Sequence, residues 1–340
     1  MNRYLQLATY FRYRFAERVQ KIPLDAGATC PNRDGTLSRA GCIFCNPSGS
    51  GSGMGIQGMN LNDQWDAWYN KYTRTQNARL FIAYLQSFSN TYGPAEKLSE
   101  NLTSIASLQG VMGVSIGTRP DCVDTEKLDI IASQDLDEIW LELGLQSAHD
   151  RTLSLINRGH TYEDFVHAVN LAADRGIKVC AHLIAGLPNE TTDDFLQTVE
   201  MVSKLPIRGI KFHSLYVADN TVLAKMWRSG EYIPITEEEF IDAIVRAVPK
   251  VPSTMIIQRL TGDALIGELL APDWGISKRE QIDKIMAELV TRDTWQGKEV
   301  DAPDGIPLWF TIRENLPRRR RDQWDIEYDA VAKQMGFLAR

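Results

Sequence analysis

The chain has 340 residues, 44% of them hydrophobic and 24% charged, with a formal net charge of -7. This is ordinary globular composition, and it excludes the overall cationic field of a dedicated nucleic-acid binder. The longest apolar runs fall well short of the ~18 residues a membrane helix needs, and the charged N-terminus lacks the pattern of a signal peptide, so a cytoplasmic protein without a membrane partner is expected.

In chain order, the run KIPLDAG at 21–27 predicts a first strand. Just behind it stand Cys30, Cys42 and Cys45, with eleven residues between the first two and two between the last pair. The chain has five cysteines, an odd and modest number, and a reducing compartment disfavours disulfides. Thiolates are soft ligands that select iron–sulfur clusters, zinc or copper(I). Four would close a structural zinc site, whereas three suit a cubane with one iron left open. A zinc site completed by a distant ligand such as His182, and unrelated thiols on a loop, stay open as alternatives. Phe44 lies between Cys42 and Cys45, where it would shield a cluster from water. The glycine-rich run at 46–58 predicts a mobile loop.

Apolar runs at 80–88, 110–118, 136–146, 176–188 and 207–217 predict further buried strands. Helical spacing at 94–108, 125–134, 162–176 and 192–205 falls between them. Short buried strands alternating with such helices mean βαβ units and a parallel sheet. About six units make a partial barrel, and the cysteine loop would sit at the C-terminal strand ends, where such barrels keep their active sites. The pattern weakens past about residue 218, although 236–248, 278–290 and 321–337 have helical spacing. The expected fold is therefore α/β: a partial (β/α)6 TIM-type barrel over residues 1–230, with a mostly helical C-terminal extension over 231–340 packed on it. TMIIQ at 254–258 with RLTGDAL at 259–265 offers either one more strand and a loop over the barrel mouth or an ordinary strand and turn. Cys180, in an apolar strand, reads as a small hydrophobe, and Cys122, at a predicted strand end, either is structural or faces the site.

Four further segments carry a family resemblance. IGTRPDCV (116–123), LELGLQSAHDRTLSLINRGHT (141–161), HLIAGLPNET (182–191) and KFHSLYVADNTVLAKMW (211–227) resemble, in order, segments of the radical S-adenosylmethionine (radical SAM) superfamily, above all its Elongator-like members. The long first cysteine gap departs from the superfamily's usual C-x3-C-x2-C and, with KIPLDAGATCPNRDG, resembles the bacterial YhcC-like branch. The resemblance implies that Cys30, Cys42 and Cys45 bind a [4Fe-4S] cluster. Its open iron would take S-adenosyl-L-methionine, and an electron from a flavodoxin- or ferredoxin-type donor would release a 5′-deoxyadenosyl radical. It also places Gln146 and Arg158 at the methionine end of that cofactor, with Glu142 on the same strand end, His182 at the ribose and residues 184–188 against the adenine. A guanidinium suits the carboxylate, which it binds bidentately. The family's paired glycines after the second strand are missing here, so Gln86, Ser87 or Ser89 would supply the amino-group contact. Arg119 and Asp121 either face the cavity or close their loop as a salt bridge. No second cysteine cluster is seen for an auxiliary cluster, and no acetyl-coenzyme loop of the G-x-G type is read past residue 230, so the acetyl chemistry of the Elongator subunit is not expected here. The basic run Arg318, Arg319, Arg320 and Arg321 beside Trp324 suggests phosphate contacts and a stacked base, and the Elongator resemblance implies tRNA as the nucleic acid. A solvated helix start, a small acidic substrate such as a porphyrin-like acid, and a non-catalytic iron–sulfur protein are the competing readings.

Overall fold

A computed structural model describes residues 1–46, 49, 54–55, 57–262 and 267–336. Most of the glycine-rich run expected to be mobile, and residues 263–266 of the run expected near the barrel mouth, lie outside the described residues.

The apolar runs become parallel strands: β1 (Val19–Leu24), β2 (Leu80–Leu85), β3 (Val111–Thr118), β4 (Glu138–Gln146), β5 (Lys178–Ala185) and β6 (Gly209–Ser214). Helices α1 (Leu7–Phe15), α2 (Leu61–Gln76), α3 (Ala95–Ala106), α4 (Thr125–Ala132), α5 (Asp150–Leu155), α6 (Tyr162–Ala173) and α7 (Thr192–Ser203) precede, join or follow them. Beyond these come β7 (Val217–Ala218), α8 (Val222–Arg228), α9 (Glu237–Ala247), β8 (Ile256–Arg259), β9 (Leu269–Ala271), α10 (Lys278–Thr291) and α11 (Arg321–Met335). The main sheet runs β1-β2-β3-β4-β5-β6-β8, all parallel and in chain order, and curls into a partial barrel. The seventh strand, β8, pairs beside β6 through Gly209–Ile256 and Ile210–Ile257. The run predicted at 207–217 divides, because β7 leaves the sheet to pair antiparallel with β9.

Local chemistry sets the helix starts. Reciprocal capping boxes open α6 (Thr161 with Asp164), α7 (Thr191 with Asp194), α9 (Thr236 with Glu239) and α10 (Ser277 with Glu280). Each satisfies otherwise orphaned N–H groups of the first turn. The core between sheet and outer helices runs from Ile22 through Leu141 and Phe212 to Leu289. A second apolar cluster joins Tyr10 and Phe11 of α1, Trp324 and Tyr328 of α11, and Ile82, Trp140 and Cys180 near the N-terminal ends of their strands. The barrel is thus plugged at one end by α1 and α11. No helix among the described residues is long and apolar enough to cross a membrane.

Candidate functional site

The cysteine loop leaves β1 at the open end. Its long spacer doubles back: Leu37 N–H donates to Pro31 O (2.8 Å) and Gly41 N–H to Asn32 O (2.8 Å), which returns Cys42 to the neighbourhood of Cys30. The Cys42–Cys45 turn closes through Cys45 N–H to Cys42 O (3.0 Å). It docks onto the barrel through Ile43 N–H to Ile156 O and Leu223 N–H to Ile43 O. Eleven intervening residues therefore do the positioning that three do in the usual motif.

All three cysteines line one cavity of about 270 Å³ at the C-terminal strand ends. Arg33 Nη1 lies 3.4 Å from Cys45 Sγ, Arg158 Nη1 3.4 Å from Cys42 Sγ, and Asn32 Nδ2 3.7 Å from Cys42 Sγ. Burial, then Cys42, push the Cys45 thiol up to about 11. Cys30 and Cys42 are buried and Cys45 half-buried; thiolates in such a place need cations and N–H donors nearby, and Arg33, Arg158 and Asn32 are those groups. This donor set fits a cluster held by three thiolates. Among the described residues no set of three or more His, Cys, Asp or Glu closes around a single metal ion. His182, the fourth ligand of the alternative zinc site, hydrogen-bonds Glu142 instead. Phe44 also lines the cavity.

Opposite the thiols, β4 ends in an unusual turn. Gln146 has φ 83°, a left-handed conformation rare in non-glycine residues, and the β4–β5 register shifts between Gly144 and Gln146. Arg158 donates Nε and Nη2 to the Gly144 carbonyl, and His160 Nε2 lies 3.3 Å from the same oxygen. A Cβ on Gly144 would stand 2.7 Å from Arg158 Nη2 and 2.8 Å from Gln146 Nε2, so glycine here makes room for both side chains. Arg158 spends some of its five donors on Gly144 and Cys42 and keeps N–H groups on both terminal nitrogens.

After β2, where paired glycines would stand in the family, the chain kinks. Phe88 has φ 58°, and the Asn90 amide donates to Leu85 O, Ser87 O and Gly117 O. This is why the strand stops at Leu85, short of the predicted 88. Gln86 and Ser89 line the cavity. Ser87 is fully buried outside the lining, its hydroxyl without a partner among the described residues. Arg119 does both things expected of it: it lines the cavity, and it closes a bidentate pair with Asp121 at 2.9 Å while donating to Arg158 O.

Deeper in the barrel lies a buried ionic layer. Glu142 on β4 accepts from Lys21 Nζ of β1 (2.6 Å), His182 Nε2 of β5 (2.8 Å) and Lys211 Nζ of β6. Burial alone would raise its pKa, yet Lys21 and Lys211 hold it well below the usual carboxylate range. Burial and Lys211 push His182 down to about 4, leaving a neutral imidazole that donates to the carboxylate. Burial pulls Lys211 down to about 8, against the pull of Glu142. Glu142 is thus a cavity-floor residue already engaged on both oxygens, and His182 is oriented by it.

Sequence reasoning missed Lys21, Lys211, His213 and Arg259 here; the last two line the cavity beside His182. The signal was present: charges stand in the apolar runs VQKIPL (Lys21), EIWLELGLQ (Glu138 and Glu142) and GIKFHS (Lys211), and buried charges need one another. Cys122 and Cys180 are buried outside the lining, their thiols pushed up to about 12 by burial. Arg318, Arg319, Arg320 and Arg321 belong to the plugged end, flanked by the buried Leu316 and Trp324, and none of them lines the cysteine cavity.

Comparison with known proteins agrees with this geometry. The family model described as "Radical SAM superfamily" matches residues 30–202, and "Radical_SAM C-terminal domain" matches 207–291. The Bacillus subtilis protein YtqA is 38% identical over 300 residues, covering 87% of this chain and 92% of that one. A tRNA uridine(34) acetyltransferase from Methanocaldococcus infernus is 32% identical over 154 residues, 44% of this chain and 28% of that protein. In fold, the chain is similar to the archaeal Methanocaldococcus infernus Elp3, with TM-score 0.64 at 18% identity, covering 81% of this chain and 63% of that one.

Proposed function

The chain belongs to the radical SAM superfamily, and from that premise we propose that it is an enzyme in which Cys30, Cys42 and Cys45 bind a [4Fe-4S] cluster and the facing strand ends bind S-adenosyl-L-methionine. The observation that carries the proposal is the convergence of three thiols, two of them with a guanidinium N–H on sulfur, on one cavity that also holds Arg158, Gln146 and His182. When bound, cluster and cofactor supply a reductive carbon–sulfur cleavage that yields a 5′-deoxyadenosyl radical for hydrogen abstraction.

The chain's own residues would do the rest. Arg158 offers its remaining N–H groups to the methionine carboxylate, beside the cysteine it already touches. Gln146, held in its strained turn, and Gln86, across the cavity, offer amide groups to the amino-acid end. His182 stands at the ribose with its ring fixed by Glu142, which acts through it as a positioning residue. Ile184 and Leu215 add apolar lining that excludes water from the reacting carbon. A low-potential flavodoxin- or ferredoxin-type protein would deliver the electron.

For the substrate, we favour a base in RNA, on the strength of the tRNA-modifying relative that shares this region. Arg318, Arg319, Arg320 and Arg321 would then grip phosphates at the far end of the barrel and hold a large RNA without delivering the reacting base. Electron paramagnetic resonance of the anaerobically reconstituted, reduced protein tests the cofactor assignment. The expected result is a cluster signal that changes when S-adenosylmethionine is added and is missing from Cys30→Ala. A signal indifferent to the cofactor, or a zinc-loaded protein without iron, contradicts it.

A further inference from the structure

We propose that the β6–β8 side of the cavity is a substrate subsite for an oxyanion, a carboxylate or a phosphate, held by Arg259 together with His213. The inference deepens the radical SAM reading and rests on it for where the cofactor lies.

Arg259 ends β8 and lines the cavity, and its side chain forms no hydrogen bond or ion pair with any described residue. A guanidinium is always charged, and a half-buried one without a carboxylate is costly until an anion meets it. Beside it, His213 Nε2 is buried without a partner. The other edge of that ring is pressed by the backbone of Gly262, where an added Cβ would stand 2.5 Å from Nδ1. The opposite face stacks on His182, ring centroids 5.6 Å apart. His213 is therefore held between Gly262 and His182, with Nε2 unmet. Below both, the Gln258 amide nitrogen is also buried and unmet.

The charge balance points the same way. Among the described residues, Lys21, Lys211 and Arg259 share this interior with a single carboxylate, Glu142, and both lysines contact it. That leaves an excess of two positive charges, with Arg259 the cation that has no counterion. The cofactor's own carboxylate does not answer the need. Its methionine end has to reach the cysteines, where Arg158 is anchored on Gly144 of β4. Arg259 lies three strands further round, about 14 Å along the sheet at ~4.8 Å per strand. S-adenosylmethionine carries no second anionic group, so the anion belongs to the molecule on which the enzyme acts.

Arginine modification by phenylglyoxal, located by peptide mass spectrometry, tests this on the full-length reconstituted protein. Either acetate or inorganic phosphate should slow modification of Arg259 about tenfold, equivalent to about 1.4 kcal/mol of binding, relative to chloride at equal ionic strength. Acetamide should not. Protection by acetate identifies a carboxylate, and protection by phosphate a phosphoryl group. Arg259 modified equally fast in all four would overturn the subsite. Protection of Arg259 by S-adenosylmethionine would also overturn it, because the anion would then be the cofactor's. Arg158 in the same digests reports the cofactor separately. If S-adenosylmethionine leaves Arg158 unprotected, the cofactor reading fails, while the acetate and phosphate arms still decide the subsite.

Discussion

Strand β4 carries two buried carboxylates on one face, Glu138 and Glu142, four residues or about 13 Å apart. Glu138 lies at the plugged end, where Tyr10 Oη (2.9 Å), Trp140 Nε1 (2.7 Å) and Lys178 Nζ (2.9 Å) meet it and Arg14 stands 3.7 Å away. Aromatic packing of α1 and α11 closes over it. Glu142 is equally buried and gathers Lys21, Lys211 and His182, but it lies under an open cavity where Arg259 and His213 have capacity to spare. The same residue type in the same strand thus serves two ends. A buried ion whose neighbours are all mutually satisfied is structural, and a buried ionic layer with unmet donors beside it is poised for a ligand.

The contrast breaks most sharply at the cysteines. Cys42→Ala should abolish cluster binding and lower 5′-deoxyadenosine formation at least about a hundredfold, about 2.7 kcal/mol in barrier terms, read by iron analysis and product mass spectrometry. Its melting temperature without iron should barely move.

The two glutamates give the next largest difference. Glu142→Gln strands Lys21 and Lys211 in the barrel and should cost about 3–5 kcal/mol in denaturant unfolding, together with cofactor affinity. Glu138→Gln should cost less, about 1–3 kcal/mol, because Lys178 and Arg14 are partly exposed and rehydrate, and it should leave cofactor cleavage intact. Equal effects on cleavage would erase the distinction between the ends.

A pH titration sharpens it. His182 is pushed from 6.5 down to about 4, by burial first and then by Lys211. Between those values the unfolded chain binds a proton that the folded chain refuses. Stability is therefore full above pH 6.5 and falls as pH drops through the window, by about 3 kcal/mol at its end. His182→Gln should flatten that part of the curve, and Glu138→Gln should not.

The smallest change is Gly144→Ala. The new methyl meets only the far ends of Arg158 and Gln146, so stability should shift by less than about 1 kcal/mol while S-adenosylmethionine binds about tenfold more weakly. Equilibrium dialysis of the reconstituted variant checks it.

Much of this was legible in the sequence. The cysteine triplet, the strand–helix alternation and the Arg158 and Gln146 segment are local patterns, and local patterns survive translation into structure. α2 escaped because its run is polar, burying only Gln64 and Trp65, so periodicity carried little signal. β8 was foreshadowed by TMIIQ at 254–258, but a run of four residues does not say which sheet it joins. The ionic layer escaped for a different reason: Glu142 is 121 residues from Lys21 and 69 from Lys211, and only barrel closure brings them together. Arg259 with His213 depends on the seventh strand taking its place beside the sixth.

The most direct test of the account is 5′-deoxyadenosine itself. The protein is reconstituted anaerobically with iron and sulfide, reduced, given S-adenosylmethionine and assayed by mass spectrometry beside Cys30→Ala, Cys42→Ala and Cys45→Ala. The account predicts product from the parent chain and none from any of the three variants. Product that persists without one of these cysteines, or a reduced, cluster-loaded parent that makes none, would contradict it.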